Sequence, residues 1–340
     1  YQQVVDKSLD LIRDITPPEQ WMNGIPSYTF WWLIIQRDWY FYTGRLRYLH
    51  ESADYIFRVT QNILKHIAED GNEHFFSKDT EEKEDGIRSY FVDWETNGSE
   101  EAKNGFYSVM IMALEAAQEL CGLLNNSSLA VKCGHALALL RAYWLPQPEN
   151  RQIAALMVLA GRADAVQMDA EILSKEAVDD ITTFLGYYTL LAKGMAGNVQ
   201  GAVAIIKKYW GRMIELGATS FWESFRLADA DGAPGIDRIL MPGEKDIHGD
   251  FGAYCYKQRR CSLCHGWACG PTPFLSKYVL GIHPLESGCR KLLVRPQLAS
   301  LQYAKGSFPT PYGTVTVTAE KTDGKVNTEV KAPPEVEIVR

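Results

Sequence analysis

Tyr28-Thr29-Phe30-Trp31-Trp32-Leu33-Ile34-Ile35 is apolar on nearly every side of a helical wheel. A helix without a polar face has to be covered all round, so this stretch predicts an inner, fully packed helix and a helical core built around it. Gly24, Pro26 and Ser27 lead into it and Thr43-Gly44 ends it. Trp31, Trp32 and Trp39 follow helical spacing and read as core. Upstream, Val4, Val5, Leu9 and Ile12 mark a helix that Pro17-Pro18 stops. Downstream, Leu46, Leu49, Ala53, Ile56, Val59, Ile63 and Ile67 predict one long amphipathic helix.

Further helices are expected over 102–124, 127–144, 151–159, 165–173, 178–196 and 199–216, each set off by Gly, Pro or Asn. Residues 70–86 and 227–250 read as loops, and residues 88–94 as a short extended piece before a Gly98 turn. A last helix is expected over 261–280. After Gly281 the texture changes. Residues 290–295 are strand-like, Thr314-Val315-Thr316-Val317-Thr318 alternates strictly, and Thr322-Asp323-Gly324 is a hairpin turn before residues 325–331. The expectation is a mainly α chain, with a helical domain over 1–282 and a small β domain over 283–340.

The 340 residues are 46% hydrophobic and 23% charged, an ordinary globular composition with a net charge of −7. That charge argues against nucleic acid or an anionic membrane as a partner. No stretch approaches the roughly 18 apolar residues of a membrane span. Seven cysteines, an odd number in a long chain, argue against a disulfide framework. Asn97, Asn125 and Asn126 begin sequons, which matter only in a host that glycosylates secreted proteins. No phosphate-cradling glycine loop is present.

Four places set chemistry beside aromatic rings at a helix start or in a loop, where a rigid helical scaffold presents function. They are Tyr28, Asp93-Trp94, Trp222-Glu223 and His265-Gly266-Trp267. Rings stack on the apolar faces of a pyranose and a carboxyl group handles a proton or a water, so the pattern points to sugar chemistry. Each has a plainer reading: a core tryptophan beside a surface acid for Trp222-Glu223, a turn-forming aspartate for Asp93, a structural histidine for His265. Cys261-Ser262-Leu263-Cys264-His265 has the spacing of a haem attachment site, and with Cys255 and Cys269 it could be drawn as a zinc site. A domain with a large core of its own has little need of a structural metal, and no cofactor or metal is expected.

The combination of segments resembles the C-terminal part of bacterial α-L-rhamnosidases. The similarity lies in Gly217-Ala218-Thr219-Ser220-Phe221-Trp222-Glu223 and in the run from Cys264-His265-Gly266-Trp267 to Phe274-Leu275. It continues through Gly281-Ile282-His283-Pro284-Leu285-Glu286, Arg295-Pro296, and Ala304-Lys305-Gly306 to Pro309-Thr310-Pro311-Tyr312-Gly313. Asp93-Trp94 and Tyr42-Thr43-Gly44 also match. The resemblance implies an (α/α)6 barrel, incomplete at its N-terminus, followed by a small β-sandwich-like domain. It implies inverting hydrolysis of terminal α-L-rhamnosides in a rhamnose-containing oligosaccharide or glycoside. Glu223 then stands at the general base, Trp94 and Tyr28 at rings that stack on rhamnose, and His265 at a hydrogen bond to sugar hydroxyls. Asp93, Trp222 and Trp267 complete the expected substrate-binding set. The family's general acid lies in an acidic-Arg motif that has no match here, since Asp10-Leu11-Ile12-Arg13-Asp14 does not fit it. The acid and the first barrel helices are therefore expected upstream of Tyr1, and the isolated chain is expected to be inactive or very weak. The alternative reading is a carbohydrate-binding or scaffold protein without catalysis.

Overall fold

The structure, a computed structural model, describes residues 2–76, 89–175, 178, 180–245, 247 and 261–340. Two compact units emerge. The first comprises Tyr1–Val92, Thr96–Gln147 and Pro284–Arg290, and the second Asp93–Glu95, Pro148–His283 and Lys291–Arg340. Helices dominate and strands follow, a mainly α chain with β structure at its C-terminal end, as the sequence predicts.

The first unit contains α1 (Gln2–Ile15), α2 (Pro26–Thr43), α3 (Leu46–Glu51), α4 (Ala53–Leu64), α5 (Ala102–Leu123) and α6 (Ser127–Ala142). Pro26 opens α2 at its first turn, where the missing N–H costs nothing. Gly44 closes it in the left-handed conformation, φ 67°, donating its N–H to Tyr40 O at 2.7 Å. Phe30 and Trp32 of α2 are buried, and the Phe30 ring packs against Phe106 of α5 at 5.2 Å. By length and composition α5 could cross a membrane, but its apolar side chains are those of a central core helix packed against α2 and α6. The single helix expected from Leu46 to Ile67 is broken at Ser52 into α3 and α4.

The second unit begins with α7 (Arg151–Leu159), capped by Asn150, whose side chain accepts from Gln152 N and Ile153 N. Then come α8 (Ala165–Met168), continued by a wide turn over Asp169–Leu173, α9 (Leu185–Met195) and α10 (Val199–Glu215). The expected helix over 178–196 starts only at Leu185. Thr182 interrupts it, its hydroxyl accepting Leu185 N–H at 3.0 Å in the manner of a cap. The helix expected over 261–280 is likewise shorter. α11 (Pro271–Phe274) begins at a proline and runs on as a wide turn through Val279, whereas 261–265 is not helical. The backbone groups that a helix would need there are engaged elsewhere: Glu223 N donates to Ser262 O at 2.9 Å and His265 N to Phe221 O at 2.8 Å.

Six strands follow: β1 (Ile282–Pro284), β2 (Lys291–Val294), β3 (Tyr303–Thr310), β4 (Gly313–Thr322), β5 (Lys325–Lys331) and β6 (Glu337–Val339). They form two three-stranded sheets, β1-β2-β6 and β3-β4-β5. β2 and β6 run parallel, with Leu292 opposite Ile338. The antiparallel β4–β5 hairpin turns at Asp323-Gly324, both at positive φ, which is what a two-residue hairpin demands. Pro309 sits on the edge strand β3, where its missing donor is tolerated. The expected extended piece over residues 88–94 is instead turn and bend over 89–93 and enters a 3-10 turn at Trp94, while residue 88 and part of the loop beyond residue 245 lie outside the described residues.

Candidate active site

The site is built on the segment after α10. Gly217, at φ 93°, lets the chain leave the helix, and residues 221–225 then run alongside 261–265. This pairing fixes two neighbours with different fates. Trp222 is wholly buried, its ring edge-on to Phe225 at 5.8 Å within the core cluster of the second unit. The side chain of Glu223 keeps about 10% of its surface accessible.

The Glu223 carboxylate is held from two directions. Its Oε2 accepts the Ser262 N–H at 2.9 Å and lies 3.8 Å from His265 Nδ1. Its backbone carbonyl accepts two side-chain donors, the Trp267 indole N–H at 3.1 Å and the Thr183 hydroxyl at 2.5 Å. The Trp267 ring packs against His265 at 4.8 Å and stacks on Phe184 at 5.4 Å, 23° from parallel. Glu223, His265 and Trp267 therefore form one contact set, fastened to the start of α9.

Asp93 and Trp94 also belong to the second unit and reach the same segment. Asp93 Oδ1 accepts Trp94 N–H at 2.8 Å, and Oδ2 lies 2.7 Å from Thr182 Oγ1. Burial pushes the Asp93 carboxyl up to about 6, against the pull of the Thr182 and Trp94 hydrogen bonds. Trp94 opens a short 3-10 turn with its ring half-buried. Burial also raises Glu95, which faces Arg226, Asp180 and Asp229. Tyr28 lies in the first unit, edge-on to Phe91 at 6.2 Å. There it lines an apolar cavity of about 540 Å³ with Trp21, Trp31, Trp32 and Ile12.

Three residues absent from the sequence-level candidates hold this arrangement together: Thr182 at Asp93, Thr183 at Glu223 and Phe184 at Trp267. Nothing local marks them, since Thr-Thr-Phe before a helix reads as a cap and a core ring. The cysteines of the haem-like spacing differ in exposure. Cys264 and Cys269 are exposed, Cys261 is half-buried with its thiol raised by burial, and Cys255 lies outside the described residues. Among the described residues no group of three or more His, Cys, Asp or Glu is placed to hold a metal ion.

Fold and site together define a mainly helical protein with a carboxylate fixed beside an imidazole and an indole. Comparison with known proteins narrows this. Residues 281–339 match the family model of the bacterial alpha-L-rhamnosidase C-terminal domain, so the C-terminal part carries the resemblance read from the sequence. The chain is similar in fold to a rhamnosidase of the GH78 family from Bacillus sp. GL1, with TM-score 0.73 and 20% identity over 99% of this chain and 36% of that one. It is also similar to the α-L-rhamnosidase of Dictyoglumus thermophilum, with TM-score 0.69 and 16% identity over 98% of this chain and 38% of that one. A third similar structure is the Streptomyces avermitilis α-L-rhamnosidase complexed with L-rhamnose, with TM-score 0.61 and 14% identity over 91% and 28% of the two chains. The chain thus spans little more than a third of the length of the Bacillus protein. No curated protein matches it.

Proposed function

We propose that this chain is the C-terminal portion of an inverting α-L-rhamnosidase in which Glu223 is the general base. The observation that carries the reading is the setting of Glu223, a carboxylate with one backbone donor on Oε2, an imidazole beside it and an indole tied to its own carbonyl. An inverting glycosidase needs such a carboxylate to take a proton from water, opposite an acid roughly 6.5–9.5 Å away that protonates the leaving oxygen. The rhamnosidase match over 281–339 and the rhamnosidase-like fold support the substrate class. A terminal α-L-rhamnoside is the proposed ligand, in keeping with the L-rhamnose in the Streptomyces complex and the rhamnose bound to the Klebsiella oxytoca protein of similar fold. In this reading Trp94 and Trp267 contribute rings and His265 a hydrogen bond to sugar hydroxyls, with Asp93 and Trp222 fixing the turns that present their neighbours. Residues 1–282 belong to an (α/α)6 barrel and 283–340 to its β domain, and the general acid lies in chain N-terminal to Tyr1.

The test is rhamnose release from an aryl α-L-rhamnoside by the full-length protein and its Glu223→Gln form. The variant should lose a factor of about 10² to 10⁴, and proton NMR of the product should show the inverted anomer first. Equal rates for the two proteins would sink the assignment of Glu223. Rhamnose binding without any turnover by either would favour a sugar-binding scaffold.

A further inference from the structure

Thr182, Thr183 and Phe184 are consecutive, and each meets a different part of the site. Thr182 Oγ1 lies 2.7 Å from Asp93 Oδ2, the Thr183 hydroxyl donates to Glu223 O at 2.5 Å, and Phe184 stacks on Trp267 at 5.4 Å. Thr182 and Thr183 are buried, and α9 begins one residue after Phe184. A tripeptide at the start of a packed helix is a rigid mount, because its backbone is fixed by the helix it opens.

The hydrogen count at Thr182 adds a second element. Its hydroxyl is within 2.7 Å of Asp93 Oδ2 and 2.8 Å of Gln152 Oε1, and it already accepts Leu185 N–H at 3.0 Å. Gln152 Oε1 is the acceptor of its amide, because Thr182 N–H points at it from 2.9 Å. Turning the amide over would set two donors against each other. A hydroxyl has one hydrogen and two lone pairs, so it can donate to Gln152 or to Asp93, not to both. Both short O···O contacts hold a hydrogen only if Asp93 brings its own. Asp93 O–H then donates to Thr182, Thr182 donates to Gln152, and Leu185 N–H takes the last lone pair.

We propose that Thr182-Thr183-Phe184 is the positioning segment of this site, setting Glu223 and Trp267, and that in mildly acid solution Asp93 anchors it as a neutral acid. The proposal rests on the glycosidase reading for its catalytic consequence but not for its geometry. Burial of Asp93 favours the neutral form, as does the negative charge of Glu95 next to it, while the Thr182 and Trp94 hydrogen bonds pull the other way. The balance, up to about 6, makes the neutral anchor the form present below that pH, where the spectra are recorded. Around Glu95 stand Asp180, Asp229 and the opposing Arg226.

The experiment uses the full-length protein with nitrogen-15 in its tryptophan indoles. Trp267 N–H shares the Glu223 carbonyl with Thr183, so Thr183→Val should shift the Trp267 indole resonance and Thr183→Ser should return it. On an aryl rhamnoside the same Val variant should lower kcat by between about tenfold and a hundredfold, the cost of a misplacement near 1 Å. KM should stay within about twofold, and Ser should restore the rate. Asp93→Asn, whose amide N–H can replace the acid O–H, should keep the Trp267 resonance at its wild-type position. Asp93→Val should move it. An unmoved resonance in folded Thr183→Val, or an Asp93→Asn spectrum displaced like that of Asp93→Val, overturns the proposal. If the wild type releases no rhamnose, the glycosidase reading fails while the indole spectra still decide the positioning.

Discussion

Thr182 Oγ1 and Asp93 Oδ2 are 2.7 Å apart although 89 residues separate them in the chain. The contact holds a carboxyl group that is only 5% exposed and whose pKa is pushed up to about 6. A carboxyl raised above its ordinary value of 3.8 stabilises the fold below that value, and this contribution is lost as pH rises through about 6. The wild-type protein should therefore lose on the order of 3 kcal/mol between about pH 4 and pH 6 from this group alone. Asp93→Asn removes that component. Urea midpoints measured across this range should fall more steeply for the wild type than for the Asn variant, and parallel curves would refute the expectation.

Lys193 is buried on α9 with its ammonium fully engaged. It donates to Asp169 Oδ1 at 2.6 Å, Ser174 Oγ at 2.8 Å and Leu173 O at 3.3 Å, while Asn198 Nδ2 donates to Asp169 Oδ2 at 2.7 Å. Burial would raise the Asp169 carboxyl, but the hydrogen bonds from Lys193, Asn198 and Ser174 outweigh it and hold the group below its ordinary value. That stabilisation is present above the ordinary value and is lost as pH falls through the lower, folded one. Lys193→Met strands a carboxylate and should cost on the order of 3 kcal/mol at neutral pH. Adding Asp169→Leu should recover part of the loss, because removing both charges leaves neither unpaired. Denaturation midpoints of the two single variants and the double variant check this.

Gly281 ends the last helical segment at φ 67°, and a Cβ there would lie 2.0 Å from Arg295 O. The two strands of chain are joined at that point by Arg295 N–H donating to Gly281 O at 3.0 Å. Gly281→Ala should destabilise by roughly 3 kcal/mol or more, combining backbone strain with overpacking. Gly122, in the exposed part of α5 with nothing within 4 Å of its would-be Cβ, is the control. Gly122→Ala should be neutral or stabilising by up to about 1 kcal/mol. Thermal midpoints of both variants decide the contrast.

Elements governed by their own residues could be read directly. Pro26 and Gly44 bound α2, Asn150 starts α7 at the residue expected, and Asp323-Gly324 turns the β4–β5 hairpin. Misreadings arose where a distant partner overrode the pattern. The periodicity of 178–196 favours one helix, but Thr182 is taken up by Asp93 and Gln152 and caps the helix at Leu185 instead. The amphipathic pattern after Cys261 favours a helix, but the Glu223 segment captures the backbone of Ser262 and His265.

For the candidate site, residue types marked Glu223, His265 and Trp267, which the structure brings into contact. They could not separate Trp222 from Trp267, two tryptophans beside candidate groups. Tertiary packing buried the first in the core and set the second in contact with His265 and Phe184. Nor could they mark Thr183, whose single hydroxyl acts on a carbonyl 40 residues away. Local rules act over a few residues along the chain, so the sequence by itself determined the ends of α2, the start of α7 and the β4–β5 turn. Which side chains face one another across the second unit is a matter of packing in three dimensions, and only the tertiary structure decided it.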